Sequence, residues 1–439
     1  VAALARIAAG ILDSPAHTFA ETRLMPLVQT VRGLPAYPAP EAGPWYVPMY
    51  PPLSFLAFAP LLLASKPVAA LRIAAALSEL FVLLPAALLL VLGGNRARRV
   101  AFLGVASALV CWLHASPILS SVFFVHADAP AIFLAGLGVW LLLRALERGG
   151  AATLSAPIAI LSRAPWAKQT FLPIALLPAA ALITLSRRKA LFCFLGAIAA
   201  TGLWAALFGA LFGARHLAFW TLEFAARHPW NGSPEDALIG ANRLLVAEGA
   251  ALMALVVGSF HLSLGPGERW TAGLRRPPGI FLLASLLLWP GSVVGYVKVG
   301  GAVNSFIPTL FFLSCGAAAS LLHAGAGSRA LRAGRVSVVV LRGAQAALDA
   351  ASTGRHALRA AWDADFAYAT GRRDPSRVFF PWFPLSTYLA AGALTHTELG
   401  TAERELAGLT LPRAAGDTSL PGAVRYVLCG KDPCPATLA

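Results

Sequence analysis

The residues best suited to chemistry are two carboxylates placed at the edges of long apolar runs. Glu21 lies in Ala20-Glu21-Thr22, and Asp128 lies in Val125-His126-Ala127-Asp128-Ala129-Pro130, just where an apolar span begins near 129. A third carboxylate, Asp13, precedes Glu21 in the same N-terminal stretch. Ionisable groups near membrane depth are costly, so those at the ends of spans are functional candidates by default. Two carboxylates facing one cavity suit activation of an acceptor hydroxyl, one of them taking its proton. Asp128 also has a plainer explanation, because an acid at the positive end of a helix, with Pro130 in the first turn, is a common capping arrangement.

The cations come next. Lys168, in Ser162-Arg163-Ala164-Pro165-Trp166-Ala167-Lys168-Gln169-Thr170, falls between two short apolar arms, and Lys298 falls just before a span that starts at Asn304. A phosphate-bearing lipid headgroup needs positive charge near the interface, and Lys168, Lys298 and Arg163 are the cations available on the non-cytoplasmic half. Snorkelling of a long basic side chain explains each lysine equally well. The loop from Gly213 to Ile239, with Arg215, His216, Glu223, Arg227, His228 and Trp230, reads first as a solvated interfacial loop.

These groups must be positioned by a membrane bundle. Of the 439 residues 58% are hydrophobic and only 13% charged, against about 25% charged in soluble domains, so much of the surface must face lipid. The mean hydropathy is +0.69. Apolar runs near the length of about 20 residues needed to cross a bilayer recur along the chain. They fall at 69–93 (preceded by a short segment at 52–64), 100–117, 129–145, a hairpin at 152–162 and 169–186, 190–212, 240–262, 279–297, 304–323 and a weaker, charged segment at 336–349. The net charge of +15 is carried by short basic clusters, around Arg96, Arg144, Arg187, Arg275 and Arg332, that this order places on one side. That is the positive-inside pattern and not a nucleic-acid footprint.

The expected fold is therefore an all-α polytopic membrane bundle of about ten spanning or re-entrant segments, with a small extracytoplasmic α/β appendage at its C-terminus. Three regions follow: an outer loop over 1–49, in which Thr18 to Val31 has the spacing of an amphipathic helix on the membrane surface; the bundle over 50–349; and the appendage over 350–439. The short apolar stretch Val1 to Leu12 suggests that a first span precedes the chain. In the tail, Val378 to Trp382 reads as a strand before a helix at 386–394. Cys111, Cys193 and Cys315 sit in spans as small hydrophobes, whereas Cys429 and Cys434 are spaced for a local disulfide in the tail. No residue cluster demands a metal.

Several landmarks recur in a known order: an acidic first outer loop, Gly33-Leu34-Pro35-Ala36-Tyr37-Pro38, Tyr50-Pro51-Pro52-Leu53, His126-Ala127-Asp128, Ala167-Lys168-Gln169-Thr170, and Lys298 through Asn304 to Pro308. Together, over roughly residues 13–323, they resemble the GT-C superfamily of membrane glycosyltransferases, nearest to the bacterial relatives of family 39, which include protein mannosyltransferases and lipid A aminoarabinose transferases. The resemblance implies transfer of a sugar from a polyprenyl-phosphate donor to a lipid, glycan or protein, with inversion, in a bacterial inner (plasma) membrane with the site facing the periplasm or exterior. It assigns Glu21, with Asp13 as the alternative, to the base, Asp128 to the second acidic position, and Lys168 and Lys298 to the lipid phosphate. His126, Gln169, Asn304, Arg163 and Tyr50 are the accompanying substrate-binding candidates. Glu21 departs from the family pattern in having no acidic neighbour. No cofactor is required by these residues, and a divalent metal is left open. The rival expectation is a secondary transporter or flippase-like lipid-handling protein, although the internal pseudo-symmetry such proteins usually carry is not evident.

Overall fold

The computed structural model describes residues 2–13, 20–41, 45–93, 99–116, 118–149, 152–264, 267–299, 301–323, 364–373, 378–379, 382–392, 394, 397–409 and 426–427. The expected segment at 336–349 and both Cys429 and Cys434 lie outside them.

Among the described residues six helices are long and apolar enough to cross a membrane: Pro67–Val91, Asp128–Arg148, Arg187–Phe212, Pro234–His261, Pro277–Tyr296 and Val303–Ser320. Each coincides with an expected span, and Arg99–Ala115 forms the shorter helix expected at 100–117. Helix Arg187–Phe212 shows how lipid is met: Leu191, Phe192, Leu195, Ile198, Leu203 and Leu211 are all exposed along it. In water such a face would be an error; in a bilayer it is the solvated one. Its start is set by Ser186, whose hydroxyl accepts from the Lys189 N–H and so satisfies one of the helix's orphan donors. Ser233 does the same for the Asp236 N–H at the head of Pro234–Leu262.

The interior packs by close approach. A Cβ on Gly136 would lie 2.5 Å from the Cβ of Pro85, so helices Asp128–Arg148 and Pro67–Gly93 touch backbone to ring where only glycine fits. A Cβ on Gly291 would lie 2.4 Å from the Thr170 carbonyl oxygen, which seats the hairpin directly against Pro277–Tyr296. That hairpin is broken as the sequence suggests. Helix Ser155–Leu161 is followed by a single tight turn at Ala164–Trp166, a tightly wound 3-10 segment at Gln169–Leu176 and then helix Leu177–Leu182. Pro165, Pro173 and Pro178 remove the donors a continuous helix would need.

The outer loop differs from expectation. Instead of one amphipathic helix on the membrane surface there are two short helices, Ala20–Arg23 and Met25–Val31. Ala20, Leu24, Met25, Leu27 and Val28 are buried in a second apolar core with Tyr37, Tyr46, Phe55, Phe58, Trp220 and Leu385. Pro26, with no N–H to give, interrupts the helix. The apolar stripe is covered by protein, so it has no membrane surface left to bind. Tyrosine and tryptophan tips fasten the loop that follows: Tyr37 donates to Tyr50 O at 2.7 Å, Tyr46 to Ala36 O at 3.0 Å and Trp220 to Pro38 O at 2.7 Å. The tail contributes residues 364–373 as helix, helices Pro384–Ala391 and Glu398–Leu406, and a parallel pair of two-residue strands, Val378–Phe379 beside Tyr426–Val427. Thus the chain is a polytopic helical membrane bundle with a small mixed tail.

Candidate active site

At one end of the helix bundle sequence-predicted residues converge on Asp128, which is fully buried at the first residue of Asp128–Arg148. Its Oδ1 accepts from Lys168 Nζ at 2.7 Å. Its Oδ2 lies 2.5 Å from His126 Nδ1. A carboxylate held by a lysine 40 residues away and by the histidine two residues before it is more than a capping acid. Lys168 reaches it because its backbone is extended, with φ −148° and ψ 121°, between the tight turn and the 3-10 segment of the broken hairpin. A continuous helix would carry the side chain around the axis and away from this end.

The partners of His126 Nδ1 compete, because the Asp128 N–H at 3.3 Å calls for a lone pair there and the carboxylate Oδ2 at 2.5 Å calls for a proton, and the shorter contact to the charged group prevails. An unprotonated Nδ1 at 2.5 Å from a carboxylate oxygen would set two lone pairs against each other, so the proton belongs on Nδ1. The other nitrogen, Nε2, then accepts from Tyr50 Oη at 3.3 Å and Asn304 Nδ2 at 3.4 Å. Burial pushes the His126 pKa down to about 4, and the nearby positive charges of Arg23 and Lys168 act in the same direction. The ring is neutral at pH 7. Gln169, next to Lys168, donates to Met49 O at 3.1 Å and Thr221 O at 3.2 Å, tying the hairpin to the segment that carries Tyr50. Tyr50, His126, Asp128, Lys168, Gln169 and Asn304 therefore form one connected neighbourhood drawn from four separate stretches of chain.

Glu21 forms a second pole. It is 3% exposed, and both of its oxygens are occupied by the tail: the Ser386 N–H donates to Oε2 at 2.9 Å and the Ser386 hydroxyl to Oε1 at 2.8 Å. Burial pushes its pKa up to about 7, against the opposing pull of these hydrogen bonds. Arg23, two residues on, connects the poles. Its Nη1 donates to Val125 O at 3.1 Å, and its charge acts on Tyr50, Asp128 and Glu403.

Three candidates are placed elsewhere. Lys298 Nζ donates to His228 O at 2.9 Å and Ala226 O at 3.2 Å and lies 4.9 Å from the centre of the Trp230 ring, pinning the 219–230 segment. Arg163 stacks on Trp204 at 4.8 Å. Asp13 ends helix Ala2–Asp13, and its side chain lies outside the described positions. Residues that the sequence did not single out are Arg23, Ser386, Glu403 and Trp220. Arg23 carried a signal, as a cation two positions from the chosen acid in an otherwise apolar stretch. His228, dismissed as loop, is buried, with Nδ1 3.1 Å from Val299 O and Nε2 3.3 Å from Glu403 Oε2. Cys111, Cys193 and Cys315 are buried and form no disulfide with one another. Among the described residues no group of three or more His, Cys, Asp and Glu side chains is placed to hold a metal ion.

With this geometry in hand, the chain was compared with known proteins. No family model and no curated protein matches the sequence. Among solved structures, the fold is similar to that of ArnT from Cupriavidus metallidurans, solved bound to undecaprenyl phosphate. The TM-score is 0.59 and the alignment covers 92% of this chain and 86% of ArnT, at 13% identity. The architecture is ArnT-like. At that identity the likeness concerns the path of the chain, and the chemistry has to be argued from this protein's own residues.

Proposed function

We propose that this chain is a membrane glycosyltransferase of the GT-C type, nearest to the family 39 group. In this proposal it moves a sugar from a polyprenyl-phosphate donor to a hydroxyl of a lipid, glycan or protein at the outer face of a bacterial plasma membrane. The observation that carries the proposal is the set of buried Glu21, His126, Asp128 and Lys168 with half-buried Arg23 and Tyr50 at one end of the helices, in a fold similar to that of a protein solved bound to undecaprenyl phosphate.

The roles follow from the chemistry. The acceptor oxygen attacks the anomeric carbon, the bond from that carbon to the phosphate oxygen breaks, the lipid phosphate leaves with the electron pair, and the acceptor proton passes to a carboxylate. Glu21 is the base, because a carboxylate whose pKa is raised to about 7 holds a proton well enough to accept one and releases it near neutrality. Positive charge fixed near the leaving phosphate does the work of a general acid, and Arg23 and Lys168 supply it. Asp128 holds Lys168 and His126 in place. Lys298, fastened to backbone carbonyls, shapes the 219–230 wall of the site.

The test is transfer by protein reconstituted with a panel of radiolabelled polyprenyl-phosphate sugars and membrane extract. Wild type should transfer label, and Glu21→Gln and Asp128→Asn should each reduce transfer by at least about a hundredfold at unchanged expression. Label transfer that survives Glu21→Gln would remove Glu21 as base, and absence of transfer or donor binding across the panel would remove the glycosyltransferase assignment.

A further inference from the structure

Two helices of the tail lie over the site, and each brings a polar group whose chemistry matches a missing substrate. Ser386, in the first turn of Pro384–Ala391, directs its hydroxyl to Glu21 Oε1 at 2.8 Å and its N–H to Oε2 at 2.9 Å. A hydroxyl donating to the base is the arrangement an acceptor must adopt before attack. Glu403, in Glu398–Leu406, places a carboxylate oxygen 3.3 Å from His228 Nε2, and its negative charge acts on Arg23 and Tyr50. An anion beside an arginine, a histidine and a tyrosine is what a phosphate headgroup would be.

These contacts do not coexist with turnover. Glu21 is 3% exposed, so an incoming hydroxyl has no path to it while Ser386 is seated. The tail is held from outside the chemistry. Arg404 is 2% exposed, donates to Pro40 O and lies 5.4 Å from the Trp45 ring centre and 5.6 Å from that of Trp220. Thr397 donates its N–H to Trp45 O at 2.8 Å and its hydroxyl to the same oxygen at 3.3 Å, and that hydroxyl accepts from the Gly400 N–H at 2.9 Å.

We propose that the two tail helices form a lid that closes the outer site at rest, Ser386 standing in for the acceptor hydroxyl and Glu403 for the anionic headgroup. The lid rests on the glycosyltransferase assignment for the identity of what it excludes. Donor arrival displaces Glu403, and the retreat of Pro384–Ala391 frees Glu21. Because only the open form admits lipid, the apparent affinity is the intrinsic one reduced by the open fraction.

The test uses the full chain in lipid nanodiscs, undecaprenyl phosphate as probe, and amide hydrogen exchange read by mass spectrometry. Arg404→Ala loosens the latch without altering Glu21, Glu403 or Arg23, and Thr397→Val serves as a milder second variant. Both should speed exchange of the described tail helices and bind undecaprenyl phosphate more tightly, Arg404→Ala by about tenfold. Adding the lipid to wild type should speed exchange of the same helices. Faster exchange with weaker or unchanged lipid binding would overturn the lid and make the tail a fixed wall of the site. If neither wild type nor a variant takes up the lipid, the donor assignment falls. The closing contact is then judged by Ser386→Ala alone: faster exchange at residues 20–23 and in the tail helices supports it, and unchanged exchange overturns it.

Discussion

Replacing Lys168 by Met removes one half of an ion pair that the fold has withdrawn from water. Lys168 is 5% exposed and Asp128 is fully buried, with 2.7 Å between Nζ and Oδ1. At that separation the gross attraction is about 6 kcal/mol for an effective dielectric of about 20. Most of it offsets the desolvation of the two ions. What Lys168→Met exposes is the remainder plus an uncompensated carboxylate, a loss of about 3–5 kcal/mol. In a helical bundle of this size that is a fall in unfolding temperature on the order of 5–10 °C, taking roughly 2 °C per kcal/mol. Asp128→Asn leaves the ammonium buried without its counter-ion and should fall by a similar amount. The double variant Asp128→Asn/Lys168→Met removes both charges and should recover at least half of the loss, because an apolar pair of similar volume is tolerated where a single charge is not. The assay is thermal unfolding of all four proteins in one detergent, followed by intrinsic tryptophan fluorescence. Additive losses in the double variant would refute the coupling, and with it the claim that Asp128 is held as an anion by Lys168.

Other outcomes follow from the same geometry. Since burial raises the Glu21 pKa to about 7 from its ordinary 4.5, against the Ser386 hydrogen bonds that favour the ionised form, the burial of Glu21 under the tail is most favourable with Glu21 protonated. Its contribution is full below pH 4.5 and lost as pH rises through about 7, so tail amides should exchange faster at pH 8 than at pH 5 beyond the intrinsic chemical rate. Transfer, needing the ionised base, should rise through the same range and level off above it; a rate flat from pH 5 to 8 would exclude Glu21. Tyr50→Phe removes the hydroxyl that donates to His126 Nε2 at 3.3 Å and should cost about 1 kcal/mol of stability, measured in the same melting assay. Gly136→Ala forces a Cβ to within 2.5 Å of Pro85 and should destabilise the bundle by about 1–3 kcal/mol, with Gly202→Ala, where nothing lies within 4 Å, as the neutral control.

What the sequence disclosed depended on how far each contact reaches along the chain. Spans are local: the length and apolarity of Arg187–Phe212 or Pro277–Tyr296 can be read without knowing a neighbour, because the bilayer sets the requirement. Asp128 and His126 were legible for a related reason, since a carboxylate and an imidazole at the mouth of an apolar helix need an explanation wherever the rest of the chain goes. Lys168 was found as a cation in a broken hairpin, but its pairing with Asp128, 40 residues away, was not. Lys298 shows the limit of counting charges. Its type and depth matched a phosphate contact, yet two backbone carbonyls and the Trp230 ring claim it.

The tail was the least legible part, and the reason is separation. Ser386 and Glu21 are 365 residues apart, and Thr397 and Trp45 are 352 apart. Nothing in Pro384-Leu385-Ser386-Thr387 distinguishes a serine that caps a buried carboxylate from one that faces water. The outer loop shows the converse. The stripe of Leu24, Leu27 and Val28 correctly announced an apolar face, but periodicity cannot say whether lipid or protein covers it, and here Phe55, Trp220 and Leu385 do. The tail, through Leu385, is part of that cover, so the surface expected to meet the membrane is packed against protein. Cutting the chain after residue 363 should therefore expose both the Glu21 carboxylate and that apolar stripe, and the truncated bundle should bind more detergent at its outer face than the full chain. Equal detergent binding, measured by light scattering of the purified micelle, would mean that the stripe is covered by something other than the tail.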